Sequence, residues 1–279
     1  MNTFTTPGHG ATQASGAWRP TPLVAASMGL HALALGSLAV DTQLWPWALG
    51  AVAGDHLFMG GLGLLPRSTW IGANIRRLPA AAAARGEIAL TFDDGPDPEV
   101  TPKVLEILAA HRAHCTFFCV GERVRAHADL CAEIVRQGHT VENHSDRHPE
   151  TFMLLGWRNM ERQIAQGQEA IRVATGVAPR FFRAPLGFRS PLVDPLLHRA
   201  GLRLVSWTRR GFDTNTQPKR VVKRLTRKLG AGDILLLHDH NSAITPAGTP
   251  AVLESLPRVL EAIERAGLHC VTLRDAIPA

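Results

Sequence analysis

The chain runs to 279 residues, enough to bury a full hydrophobic core and to divide into one domain of about 200 residues plus an appendage. Its 30 Lys and Arg against 24 Asp and Glu leave a net charge of +6, but the arginines are scattered. That distribution argues against a nucleic-acid binder, which wants a dense basic stripe or a reader motif, and favours an anionic substrate or a membrane surface. The cysteines Cys115, Cys119, Cys131 and Cys270 form no CxxC pair, so neither a disulfide scaffold nor a cysteine zinc site is expected, only buried free thiols.

Residues 1–20 are polar and rich in Gly, Thr and Ala, the composition of a disordered tail. Residues 21–65 are expected to form a hydrophobic, transmembrane helical hairpin. Within it, 23–40 holds 18 residues whose one charge-capable side chain is His31. The second run, 44–65, holds 22 residues interrupted by Asp55-His56. Both approach the roughly 20 residues that cross a bilayer as helix. The Asp41-Thr42-Gln43 connector is short, and Trp45 and Trp47 stand where an aromatic belt is expected. Asp55 and His56 would be costly in lipid and need each other, the facing helix or a function, with His31 a candidate partner. Two alternatives are a buried hairpin of a soluble protein and a signal peptide ending at Ser37-Leu38-Ala39. The polar lead and the second apolar run argue against the latter. Residues 66–86, with Pro66, Arg67, Arg76, Arg77 and Pro79 ahead of an alanine run, are expected to form a juxtamembrane linker.

Arg19 precedes the first apolar run and Arg67, Arg76 and Arg77 follow the second, while the connector has no Lys or Arg. The positive-inside rule then puts both ends of the hairpin, and the domain behind it, on the cytoplasmic side of a bacterial-type inner membrane, with a periplasmic domain as the alternative.

From residue 87 to 279 strands and helices alternate. Strands are expected at 87–92, 114–120, 139–143, 180–183, 203–207, 233–237 and 269–273. Amphipathic helices are expected at 101–112, 127–138, 157–175, 191–200, 218–229 and 251–267. Seven alternating strands imply an α/β fold with a parallel sheet or barrel, whose catalytic residues gather at the carboxyl ends of the strands.

The polar motifs sit at those ends. Thr91-Phe92-Asp93-Asp94-Gly95-Pro96 puts two adjacent carboxylates where a strand stops in a Gly-Pro turn. Adjacent strand residues point to opposite sides, so one can bind a metal while the loop aims the other at a water. Asn143-His144-Ser145-Asp146-Arg147-His148-Pro149 carries two histidines four apart, a spacing that places both rings on one side of a helical turn. With Asp94 they make a three-ligand, open-position metal set. Alone, H-x-x-x-H in a chain with 13 histidines is weak; paired with Asp93-Asp94 it is strong.

Arg183-Ala184-Pro185-Leu186-Gly187-Phe188 ends the fourth strand. A buried Arg183 needs a carboxylate, and Asp93 is the candidate. Pro185 fixes the backbone and Gly187 allows close approach. Trp207-Thr208-Arg209-Arg210-Gly211-Phe212-Asp213 ends the fifth strand. His238, straight after four aliphatics at 234–237, sits at the barrel mouth and reads as a general acid, oriented by Asp213 or by its rival Asp239.

These five motifs, in this order over residues 87–276, resemble the polysaccharide deacetylase family, also called the NodB homology domain or carbohydrate esterase family 4. The resemblance implies a distorted, incomplete (β/α) barrel with one divalent metal, zinc or cobalt. It implies Asp93 as general base and Asp94, His144 and His148 as metal ligands. Arg183 would hold Asp93, Asp213 would tune His238, and His238 would be the general acid. The backbone N–H of Leu186 would help bind the oxyanion, with Pro185, Trp207, Arg209 and Arg210 on the substrate side.

Two positions depart from the family pattern. Leu186 replaces the usual aromatic, which loses a substrate-facing ring but keeps a backbone donor. The fourth motif lacks the Asp-x-x-Asp-Trp ending and carries Arg209-Arg210, expected either to face solvent or to bind an anionic group such as a carrier phosphate.

The function expected is metal-dependent removal of N-acetyl, or a related small acyl group, from an amino-sugar glycan or lipid-linked sugar. The partners are then an N-acylated sugar and membrane lipid, with no nucleic acid. The alternatives are a non-catalytic, membrane-tethered saccharide-binding module, and a deformylase or esterase on the same scaffold.

Overall fold

A computed structural model of the chain describes residues 16–278; most of the expected tail, 1–15, lies outside the described residues. Two helices come first, α1 (Pro22–Val40) and α2 (Trp45–Gly63). Thr21 caps α1, its hydroxyl accepting from the Val24 N–H, and Pro22 sits in the first turn where no donor is missed. The helices pack antiparallel across a tight turn at residues 41–44. Among the described residues α1 is the one helix long and apolar enough to cross a membrane, with a mean hydropathy of 1.8. Helix α2 has the same 19-residue length but falls short, because Trp45-Pro46-Trp47, Asp55-His56 and five glycines dilute it.

The rest of the chain follows in the order α3 (Ala80–Ala84), β1 (Glu87–Asp93), α4 (Thr101–Ala110), β2 (Thr116–Cys119), α5 (Gly121–Ala126), α6 (Ala128–Arg136), β3 (Thr140–Asn143) and α7 (Trp157–Thr175). Then come β4 (Phe181–Phe182), α8 (Val193–Ala200), β5 (Arg203–Leu204), β6 (Arg209–Arg210), α9 (Pro218–Thr226), β7 (Ile234–His238), α10 (Ala251–Arg265), β8 (His269–Cys270) and α11 (Leu273–Ala276). Every strand pairing is parallel, in the order β5-β4-β3-β2-β1-β7-β6, with β8 beside the start of β1.

The topology forces curvature. Strands β5 and β6 occupy opposite edges of the seven-strand path, yet only residues 205–208 join them. Six strand spacings laid flat would measure about 29 Å, whereas the five peptide steps of the link reach at most roughly 18 Å. The sheet therefore curls into an incomplete barrel whose edges nearly meet.

Residues 66–86, expected as a linker, fill that seam. Ile75 bridges Val205: its N–H donates to the Leu204 carbonyl at 2.9 Å, and its carbonyl accepts from the Ser206 N–H at 2.8 Å. Ile71 and Ala82 are fully buried, and Arg77 pairs with Asp233 at 3.0 Å. The expected strand 203–207 is thereby cut short at Leu204. Its first part stays on one edge, the chain crosses the gap, and the new strand β6 forms at 209–210 on the other. At the start of the described chain, Trp18 Nε1 donates to Asp194 at 2.8 Å, so residues 16–20 run against the domain.

The period-two pattern of β1 divides the core. Ile88, Leu90 and Phe92 point outward into a cluster with Val104, Leu108, Ile134, Leu256 and Val259 of the surrounding helices. Ala89 faces inward with Phe118, Phe181, Trp207, Ile234 and Leu236. Each fully buried aliphatic or phenyl contributes about 1.5–3 kcal/mol. Thr91 and Asp93 continue the inward row, so Asp93 ends it at the barrel mouth.

Helix α7 runs beneath the loop after β3, and Gly167 is where they touch. A Cβ there would lie 2.6 Å from Asn143 Oδ1 and 2.8 Å from the Ser145 carbonyl. Gly167→Ala is therefore expected to destabilise by about 1–3 kcal/mol through overpacking, despite the helix propensity of alanine, which favours it by about 1 kcal/mol. Urea unfolding measures this; an unchanged or higher midpoint would refute the close approach.

Candidate active site

Asp93 and His238 are register partners on β1 and β7, so the two side chains emerge next to each other at the mouth of the barrel. Asp93 is buried, and its Oδ1 accepts from Arg183 Nη1 at 2.6 Å. Arg183 reaches across the interior from the end of β4. It also donates to Thr91 Oγ1 at 2.8 Å, to the Ser206 carbonyl at 3.1 Å and to the Val205 carbonyl at 3.3 Å. Its guanidinium lies 4.0 Å from the centre of the Phe118 ring. Every side of the cation is occupied, which leaves Asp93 Oδ2 as the oxygen available to the cleft.

Asp94 follows directly after β1 and, were the strand to continue, would point outward. Its φ of 75° turns the backbone into the left-handed region, so both carboxylates reach one cleft. Asp94 Oδ1 lies 3.3 Å from His144 Nε2 and 3.3 Å from His148 Nε2. Burial alone would raise its pKa. The hydrogen bond and charge of His144, with His238 and His148 nearby, outweigh burial and hold it well below the usual carboxylate range.

The two histidines do not share a helical turn, as their spacing suggested. Residues 144–149 form a loop in which Ser145 (φ 68°) and His148 (φ 51°) are both left-handed, and the rings stand 4.8 Å apart. Asn143 Oδ1 accepts from the Ser145 N–H at 2.8 Å, and Ser145 Oγ accepts from the His148 N–H at 3.0 Å. Arg125 donates to Asp146 at 2.6 Å and pins the middle of the loop. These three polar residues were quoted in the motif without a role. Their signal is the geometry of the loop, which spacing does not carry.

The donor set fits a divalent transition metal. His144 Nδ1 lies 2.8 Å from the Arg183 carbonyl, an acceptor only, so in the neutral ring that a ligand needs the proton stays on Nδ1 and Nε2 is freed for an ion in place of its contact with Asp94. Burial tends to lower the His144 pKa, but Asp93 and Asp94 together raise it, so this pocket attracts positive charge. Burial, and then the charge of His144, push His148 down to about 4, the neutral form a ligand needs.

On the other side, Asp213 holds His238 twice. One carboxylate oxygen is 2.9 Å from the ring Nδ1 and the other accepts the His238 backbone N–H at 2.9 Å. Asp239, the rival, turns away and accepts from Thr101 Oγ1 at 2.6 Å; burial pushes its pKa up to about 7. Burial would lower the His238 pKa, but Asp213, with Asp94 and Asp93, raises it above its ordinary value.

A cleft of about 210 Å³ joins Asp93, Asp94, His144, His148 and His238 to Leu186, Gly187, Trp207 and Arg210. Leu186 sits in a one-turn 3-10 helix at Pro185–Gly187 with φ 57°, and Pro185 is buried beneath it. A Cβ on Gly187 would come within 2.5 Å of the Trp207 ring, so only glycine lets that wall close. Arg210 stacks over Phe212 and Trp207 and lines the cleft. Arg209 does not. Its Nε pairs with buried Asp233 at 2.6 Å, and its other nitrogens donate to the Arg227 and Lys228 carbonyls. It is a partly exposed tie of the barrel edge whose guanidinium nitrogens are already engaged. Asn241, not foreseen, has Nδ2 at 3.4 Å from Asp94 Oδ2. It borders a second hollow of about 440 Å³ with His127, Arg123 and Arg147.

Comparison with known proteins agrees with this geometry. Residues 81–205 match the family model described as polysaccharide deacetylase. A chitooligosaccharide deacetylase of Sinorhizobium fredii is 37% identical over 173 residues, 59% of this chain and 77% of that one. The chain belongs to the polysaccharide deacetylase family. A peptidoglycan-N-acetylglucosamine deacetylase of Bacillus cereus is 29% identical over 68% of this chain and 87% of its own. The solved structure of the peptidoglycan deacetylase PdaC from Bacillus subtilis superposes with a TM-score of 0.61 at 27% identity, covering 68% of this chain and 89% of that one. The protein is therefore a hydrolase of the carbohydrate deacetylase class, on the incomplete barrel that this family shares.

Asp213→Asn removes the charge that favours the imidazolium. The His238 ring is expected to titrate above pH 6.5 in the wild type and at a lower pH in the variant, with burial then unopposed by Asp213. Histidine NMR across a pH series checks it; an equal or higher value in the variant would refute the assignment.

Proposed function

We propose that the protein hydrolyses the N-acetyl group of an amino sugar with a divalent metal, zinc by donor type, held by Asp94, His144 and His148. The observation that carries this reading is the placement of a braced carboxylate and a carboxylate-backed imidazole side by side, facing one His-Asp-His cluster. Two imidazoles and one carboxylate suit zinc and leave a position open. When bound, the metal supplies Lewis acidity and eases deprotonation of a nearby water.

The chain's own residues do the rest. Asp93 Oδ2 takes the proton of the attacking water, since Oδ1 is engaged with Arg183. Leu186 lines the cleft, and its backbone N–H is the donor for the carbonyl oxygen as it gathers charge. His238, kept protonated by Asp213, gives its Nε2 proton to the departing nitrogen, without which an amide does not break. The products are a free amine on the sugar and acetate.

The relatives named for chitooligosaccharide and for peptidoglycan N-acetylglucosamine support an N-acetylglucosamine-containing chain as substrate class. The 440 Å³ hollow beyond His148 gives a neighbouring sugar a place. Arg210, stacked and facing the cleft, supports an anionic group near the reacting sugar.

His144→Ala is expected to lose metal and activity together. Asp93→Asn is expected to keep the metal and lose about two to four orders of magnitude in kcat. Elemental analysis and deacetylation of a chitooligosaccharide, followed by mass spectrometry, measure both. Full activity of metal-stripped enzyme, or near-normal turnover of the Asp93 variant, would overturn the mechanism.

We infer further that α1 and α2 anchor the enzyme in a membrane with the domain on the cytoplasmic side. Leu33, Val40, Trp47 and Leu57 are each more than 70% exposed on these two helices, an apolar surface unsuited to water. Arg19, Arg67, Arg76 and Arg77 flank the pair while its turn carries Asp41 alone. The substrate would then be a lipid-linked or soluble precursor rather than finished wall polymer. A reporter active only in the periplasm, fused after Ala279, is expected to stay silent; a strong signal would reverse the orientation.

A further inference from the structure

His31 of α1 and Asp55 and His56 of α2 meet midway along the two helices, far along the chain from every catalytic motif. One ligand atom from each lies within 4.8 Å of the others. The imidazole rings stand edge to face with centroids 5.1 Å apart. We propose that these three residues form a second divalent transition-metal site, which joins α1 to α2.

Four observations support it. Each histidine spends its Nδ1–H on the carbonyl one turn earlier, His31 on Ser27 at 2.8 Å and His56 on Val52 at 2.9 Å. Both neutral rings therefore carry their free lone pair on Nε2, the tautomer that a ligand needs. Asp55 is oriented in turn: Ser27 Oγ donates to its Oδ2 at 2.6 Å, which leaves Oδ1 uncommitted. This gives each ligand a hydrogen-bonded support of its own. No Lys, Arg or Glu lies on either helix, and Asp55 is the one acidic residue there, so the carboxylate has no competing cation. Finally, the surroundings are apolar, with Leu33, Leu35, Leu57 and Phe58 exposed around the cluster. A carboxylate whose support is one hydroxyl and a nearby imidazole is costly in such a setting, and a cation removes that cost.

The donor set selects the class of ion. Two imidazole nitrogens and one carboxylate favour zinc, cobalt or nickel over magnesium and calcium, which take all-oxygen shells. With one ligand from α1 and two from α2, bound metal fixes the register and rotation of the pair.

The test is independent of the catalytic metal. Full-length protein carrying His144→Ala and His148→Ala is purified in detergent and titrated with Co²⁺ alone. One equivalent is expected, with the visible absorption of a low-coordinate cobalt–imidazole complex, and α1–α2 unfolding on heating should shift upward. Adding His31→Gln and His56→Gln should remove the absorption and weaken binding at least 100-fold. No cobalt binding in the first protein, or unchanged binding in the second, overturns the site. Should the second protein fail to fold, imidazole ¹⁵N shifts decide in the first: Zn²⁺ should move the Nε2 signals of His31 and His56, and unmoved signals overturn the proposal.

Discussion

The ion pair between Arg183 and Asp93 is the constraint around which the barrel interior is arranged. Both groups are buried, where two charges lose their water at a cost of several kcal/mol each. A pair in that position persists only if its remaining hydrogen-bonding capacity is met. Here β1 supplies Thr91, the crossing that follows β5 supplies the Val205 and Ser206 carbonyls, and β2 supplies the Phe118 ring. The curl that brings those strands around one guanidinium follows from the four-residue crossing at the seam. Loss of Arg183 would leave a lone buried carboxylate, a change worth about 3–5 kcal/mol. The same bracing that makes the pair tolerable also fixes which oxygen of Asp93 is free. Stability and reactivity are therefore set by one contact.

Around that contact the backbone is bent against its preferences. Asp94, Ser145, His148, Leu186 and Asn241 all adopt positive φ. Non-glycine residues do so at a cost of order 1–3 kcal/mol each, and such positions persist where their surroundings over-determine them. The reason is geometric. A strand alternates its side chains, so adjacent Asp93 and Asp94 cannot share a cleft unless the second leaves the strand. Two histidines separated by three residues likewise converge only if the loop folds back. The polar supports are the compensation: Asn143 on Ser145, Ser145 on His148, and Arg125 on Asp146. Gly167 leaves room beneath them, so a helix on the far side of the loop takes part in ligand placement without touching the cleft.

What was legible in the sequence follows from what is local. Helix α7 has both its expected ends, 157 and 175, because an amphipathic period over five turns is a strong signal. Strand-end motifs were readable because their chemistry demands particular residue types. The seam was not. Residues 66–86 look like linker because Pro79 and the alanines carry no periodicity, yet Ile75 and Ala82 pack once the barrel edges come within reach, and Ile71 packs against the hairpin. Ending one strand at Leu204 and starting the next at Arg209 on the opposite edge depends on sheet order, which no window of sequence contains. Arg209 and Arg210 are adjacent and alike in sequence but separate in space. Alternation on β6 sends one to Asp233 and the other to the cleft. Burial of Asp233, 23 to 24 residues away, decides this, and spacing gives no sign of it.

The helical pair is not loosely tethered to the domain, and this bears on how substrate is met. Gly63 sits so close that a Cβ would fall 2.1 Å from the Arg189 carbonyl, while the Arg189 N–H donates to the Gly63 carbonyl. The Arg189 side chain is buried and donates to the Ser68 and Gly72 carbonyls, tying the chain just after α2 to the loop ahead of α8. Burial lowers its pKa to about 10, still far above physiological pH, so the tie stays charged and intact. Met59, Val24 and Ile71 pack together in a small core of their own between hairpin and barrel. Pro66, three residues beyond α2, reaches within 2.9 Å of where a Cβ on Gly187 would stand, so the exit of the hairpin forms part of the wall behind the cleft. With α1 and α2 held in a membrane, the cleft would sit at a fixed height and tilt above it. A substrate carried on a lipid would then be presented at one depth, and a glycan free in solution would have to enter from the side of the 440 Å³ hollow.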